Sequence, residues 1–142
     1  MRQTKTIDYA EARRIVDTIV AEVSKGAHSA VIAVADSHGE LIAFARMDGA
    51  PVSSITIAVN KAWTAARERK TTQEIGERVR HPEKGFDIAY FGDPRFVGWG
   101  GGVPVWRDGE VVGAVAISGL PQEDDIRLAT WAATLVGERS SS

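Results

Sequence analysis

Ile15, Val16, Ile19, Val20 and Val23 recur three and four residues apart, the spacing that gathers side chains on one face of a helix. Asp8 precedes them with Glu11 three positions on, which is capping-box spacing, and Gly26 ends the pattern. A first helix over about residues 9–25 follows. The period then changes. Residues 30–35 (Ala-Val-Ile-Ala-Val-Ala) and 41–45 (Leu-Ile-Ala-Phe-Ala) are apolar without alternation, and the turn-forming Asp36–Gly39 lies close between them. They predict an antiparallel hairpin whose strands are covered on both faces.

Residues 47–51 carry turn chemistry, and Ser53 or Ser54 is placed to cap a helix bearing Ile55, Ala58, Val59, Ala62 and Ala66. The small side chains on that face suit close packing. Thr71 and Glu74 repeat the capping-box spacing ahead of a shorter helix, which His81-Pro82 stops. A second hairpin is predicted from residues 103–106 and 111–117, with Asp108-Gly109 at its turn and Pro104 marking either an exposed edge or a strand that begins late. Residues 121–125 then lead into a last helix bearing Leu128, Ala129, Ala132 and Ala133, which ends near Gly137. This order predicts one α+β domain over residues 1–142, a mostly antiparallel sheet between helices, with residues 30–35 and 111–117 central and a further short strand near 95–97.

Composition narrows the function. The chain has no cysteine, which excludes disulfides, thiolate nucleophiles, cysteine-held zinc and iron–sulfur clusters. A net charge of −2 disfavours nucleic acid as a partner, and no apolar run reaches the length of a membrane span. The first eight residues also lack the apolar centre of a signal peptide, so a cytoplasmic location is expected.

Val34-Ala35-Asp36 with Gly39, Phe44–Pro51, Ile57-Ala58 with Lys61-Ala62, Gly100–Pro104, and Asp108–Val115 leading to Ser118-Gly119 form an ordered set. In that set the chain resembles the GlcG/HbpS-type haem-binding family, bacterial domains related also to the C-terminal domain of PduO-type proteins. The resemblance implies a profilin-like or PAS-like five-stranded sheet between helices, homo-oligomerisation and, in several members, the binding or degradation of haem. It also implies occurrence among proteins of small-molecule catabolism. The chain departs from the family pattern at Glu123-Asp124-Asp125, in a longer stretch from His81 to Gly98, and in having no histidine in the first helix.

Residues 81–102 form a long connection, which makes them the first place to seek a site. Its rings, Tyr90, Phe96 and Trp99 among them, are suited to line a cavity for a planar ligand, or else to tie down the loop as a small core. Gly100, Gly101 and Gly102 fit a backbone wall beside a flat ligand, or a tight lead into the strand. Lys61, on the small-residue helix, is a candidate base or anion anchor; His81 is a candidate acid or base, and a metal ligand if haem is bound. Glu123 joins them as a candidate acid, although dipole complementarity at a helix start accounts equally for residues 123–125. His28 and His38 fit capping and turn roles. Arg67, Arg69, Lys70, Arg78, Arg80 and Lys84 are interleaved with glutamates, as on a solvated, salt-bridged face.

The expected ligand is a small planar or anionic molecule, with haem as the cofactor that the resemblance implies. Two other functions fit the same residues. One is a cofactor-independent isomerase, hydratase or lyase of catabolism using Lys61, His81 and residues 122–125; the other is a non-catalytic sensor or oligomeric interaction module.

Overall fold

The computed structural model describes residues 1–137. Along the chain come α1 (Tyr9–Val23), β1 (Val31–Asp36), β2 (Leu41–Arg46), α2 (Ser54–Glu68) and α3 (Thr72–Val79), then a 3₁₀ turn at Ile88–Phe91, β3 (Gly102–Arg107), β4 (Glu110–Ser118) and α4 (Gln122–Val136). The strands form one antiparallel sheet in the order β2-β1-β4-β3. β1 and β4 are therefore interior, as their two-sided apolar runs require, and Pro104 lies on the edge strand β3.

The two faces of the sheet are packed differently. Ile32, Val34, Val115 and Ile117 meet the apolar faces of α1 and α4 in the larger core. Val31, Ala33, Ala35 and Ala116 face Ala58 and Ala62 of α2, so alanine meets alanine and the helix lies close on the strands.

The sheet has four strands, not five. Residues 95–97 join no ladder, because Thr64 Oγ1 takes their backbone instead: it donates to the Arg95 carbonyl at 3.1 Å and accepts the Val97 N–H at 3.1 Å. A side chain here does what a neighbouring strand would have done.

The caps follow the sequence in part. Thr71 and Glu74 form the reciprocal capping box of α3. At α1 only half of it forms: Asp8 Oδ1 accepts the Glu11 N–H at 2.9 Å, while the Glu11 carboxylate is taken by Arg107 across the fold. Ser53 stands at the start of α2 with helical backbone angles and makes no side-chain cap. Trp63, in α2, is 3% exposed, whereas Trp131, on the outer side of α4, is 37% exposed.

Candidate functional site

Lys61 and Asp125 come together where α2, the end of β4 and the start of α4 meet. Ala58, Ala62 and Ala65 set the inward face of α2, and Lys61 falls on that face; Asp125 likewise shares the buried face of α4 with Leu128, Ala129 and Ala132. Lys61 Nζ donates to the Ile117 carbonyl at 2.9 Å and lies 3.6 Å from Asp125 Oδ2. Asp125 Oδ1 in turn accepts the Leu120 N–H at 3.2 Å, pinning the turn between β4 and α4.

Lys61 is 2% and Asp125 4% exposed. Burial disfavours both charges. It lowers the Lys61 pKa, with Asp125 opposing, and pushes Asp125 up to about 6, with Lys61 opposing. Gly101 closes this cluster at φ +124°, and a Cβ there would stand 2.7 Å from the Ile117 carbonyl oxygen and 2.8 Å from Lys61 Nζ. Lys61 thus ties α2 to the end of β4 and the start of α4 from a position enclosed by protein.

The neighbouring glycines are used in the same way. A Cβ on Gly100 would meet Ile126, and one on Gly102 would meet the Lys61 backbone and Thr72. The anticipated ligand wall is therefore filled by protein. Phe96 stacks on Phe91 at 4.4 Å between centroids and meets Trp63 edge-on at 4.9 Å, while Phe86 packs edge-on against Phe91. These rings make the small core that ties down the long connection. Tyr90 is 82% and Trp99 57% exposed, outside that core.

His81 sits on the surface, and its Nδ1 accepts the backbone N–H groups of Glu83 and Lys84 at 3.2 and 3.0 Å. A neutral imidazole accepting at Nδ1 carries its proton on Nε2, so this ring offers iron no free lone pair. Glu123 is exposed in the first turn of α4, and the carboxylate that reaches Lys61 is Asp125, two residues on. The signal lay in the sequence: positions 125, 128, 129 and 132 have helical spacing, so the third acid of the run faces the core.

The cations of α2 and α3 also differ from expectation. Among the described residues, Arg67, Arg69, Lys70, Arg78, Arg80 and Lys84 form no ion pair with Glu68, Glu74, Glu77 or Glu83. Arg67 lies over the Trp63 ring at 4.8 Å, and Arg80 donates to the Gly98 carbonyl at 2.9 Å. Gly76 and Gly98 approach so closely there that a Cβ on Gly76 would overlap the Gly98 oxygen.

A groove of about 540 Å³ runs between the end of α1, the 26–29 link and the end of β2. Val20, Ala27, Ala45 and Met47 give it apolar sides, with His28 and Arg46 beside them. Among the described residues nothing hydrogen-bonds the exposed His28 ring. Likewise no three His, Asp or Glu side chains among them are grouped to hold a metal ion, and no helix is long and apolar enough to cross a membrane.

The sequence profile of the family described as "Haem degrading protein HbpS-like" matches residues 7–134. The chain belongs to the HbpS-like family. Protein GlcG of Escherichia coli K12 is 39% identical over 97 residues, 68% of this chain and 69% of GlcG. Two solved structures share the HbpS-like fold described above. Protein ORFY of Klebsiella pneumoniae superimposes with a TM-score of 0.88 at 32% identity, covering 94% of this chain and 92% of ORFY. PduOC, solved as a complex with haem, superimposes with a TM-score of 0.84 at 26% identity, covering 92% of this chain and 95% of PduOC.

Proposed function

We propose that this protein binds haem or a related tetrapyrrole in the groove between α1 and β2, with His28 as the nitrogen donor to iron. The observation that carries the reading is the likeness, over nearly the whole chain, to PduOC, whose structure holds haem. The local chemistry fits the group. A planar macrocycle with carboxylate edges needs apolar sides and polar anchors; the groove of about 540 Å³, within the usual size of small-molecule sites, sets Val20, Ala27 and Ala45 beside Ser24, Ser29 and Asp48. His28 supplies an imidazole that no group among the described residues hydrogen-bonds, and Met47 lies in the same groove with a thioether, the softer donor of the pair. Arg46 is placed to hold a carboxylate in the charge-assisted manner of guanidinium groups.

When bound, the iron would supply one-electron and oxygen chemistry; the chain's own part is to bind and orient the ring. Titration of the purified protein with haemin tests this. The expected result is a saturable Soret band in the wild type, weakened at least tenfold in His28→Ala and retained in His81→Ala. Absence of a saturable band in the wild type overturns the function, and an equal band in His28→Ala removes the site from this groove.

A further inference from the structure

A larger cleft, of about 1090 Å³, lies where four segments meet: the N-terminal residues, the hairpin turn after β1, the end of α2 with its link to α3, and the β3–β4 hairpin. Its walls carry Arg2, Lys5, Arg67, Arg69 and Lys70 against the carboxylates of Glu68 and Glu110, in a chain whose net charge is −2. Lys5 is paired with Asp108 at 2.7 Å. Among the described residues, Arg2, Arg67, Arg69 and Lys70 form no ion pair at all.

From this convergence we propose that the cleft binds a small molecule bearing a dianionic oxyanion group, a phosphate or paired carboxylates, at a site separate from the groove of His28.

Cations gather at helix C-termini for the sake of the helix dipole alone, and Arg67 fits that account. Arg2 does not, because it comes from the N-terminal segment and not from a helix end. Arg69 does not either. It takes the left-handed conformation at φ 55° and ψ 37° at the end of α2, where glycine is the residue without steric penalty. An arginine in that conformation among the residues that line a cationic cleft carries a cost in backbone energy, as residues of ligand sites often do. Two further details bear on a ligand. Ser37 borders the cleft, and its hydroxyl, closed off from solvent, has no hydrogen-bond partner among the described residues, so a small shift of the turn would give a bound oxyanion a donor. Arg67 is also held by its contact with the Trp63 ring, so less freedom is lost when its guanidinium engages. Walls drawn from four segments suit a small molecule better than a duplex, and the guanidinium fork suits phosphate and carboxylate alike.

Calorimetric titration of the full chain with pyrophosphate and, separately, with citrate, at about 0.15 M salt to suppress weak surface pairing, tests the site. The wild type should bind at least one of them saturably; pyrophosphate alone identifies a phosphate ligand and citrate alone a carboxylate ligand. Arg69→Gly with Lys70→Ala should weaken binding at least tenfold while the melting temperature without ligand is unchanged or raised, since glycine is at home in that conformation. His28→Ala should bind the same anion as the wild type does. Failure of both anions to bind, equal binding by the double variant, or binding of duplex DNA in place of either anion would each overturn the proposal.

Discussion

The Lys61 ammonium lies 3.6 Å from the Asp125 carboxylate, with both groups almost wholly withdrawn from water. Each charge is tolerable only because the other is present, and Ile117 and Leu120 contribute the backbone partners that complete the arrangement. Removing Lys61 as Lys61→Met should therefore cost about 3–5 kcal/mol, the range for stranding a buried charge. Replacing both, as Lys61→Met with Asp125→Leu, should recover most of that loss. Urea unfolding of the two variants measures it, and a double variant no more stable than the single one would mean that the pair is not coupled.

The same pair predicts a pH dependence of definite sign. Burial raises the folded pKa of Asp125 to about 6 from an ordinary 3.8, so between those values the native state keeps a proton that the unfolded chain has lost. Stability from this group is fully present below the unfolded pKa and is lost as pH rises through the folded one. Glu11 works in the opposite sense: the hydrogen bond from Arg107 lowers its pKa, so its contribution stands above its ordinary 4.5 and is lost as acid is added. The stability of the wild type relative to Asp125→Asn should consequently decline as pH rises from about 4 to about 7. A flat or rising difference in melts across that range would contradict the assignment.

Gly101→Ala should be destabilising by on the order of 3 kcal/mol, combining overpacking with backbone strain. At φ +124° the added carbon would meet a backbone oxygen and an enclosed ammonium, neither of which can swing aside. A thermal melt of this variant within a degree or so of the wild type would show that the Lys61 cluster has room the structure does not display.

His81→Ala should cost about 1 kcal/mol, since two backbone N–H groups lose their acceptor on a surface where water replaces it in part. Chemical denaturation gives the value. A loss of haem binding in this variant, with stability intact, would return iron ligation to His81.

The parts of the fold legible in the sequence are those decided by short-range pattern. Val31–Ala35 and Val111–Ile117 read as interior strands because both of their faces are apolar, and both are interior. The fifth strand, read near residues 95–97 and implied by the resemblance as well, does not form, and what replaced it, the two hydrogen bonds of Thr64 Oγ1, has no local signature. Asp125 was legible from its helical spacing with Leu128 and Ala129, yet it stood in a run of acids that a helix dipole accounts for as a group. The cationic cleft was illegible for a different reason. Arg2 lies more than sixty residues from Arg67, and nothing along the chain announces that the N-terminal segment returns to the end of α2.

The rings of Phe86, Phe91 and Phe96 touch in series, edge-on and then stacked, until Phe96 reaches Trp63 edge-on. Residues 81–100 add no rung to the sheet; the stack, the Thr64 bonds and the Arg80–Gly98 bond hold them. The connection is thus fastened like a hinged panel, by a seam of side chains from α2 and the end of α3. Such a panel can lift as a unit, with its amides exchanging hydrogen together, while the ladders of β1 and β4 beneath it stay closed.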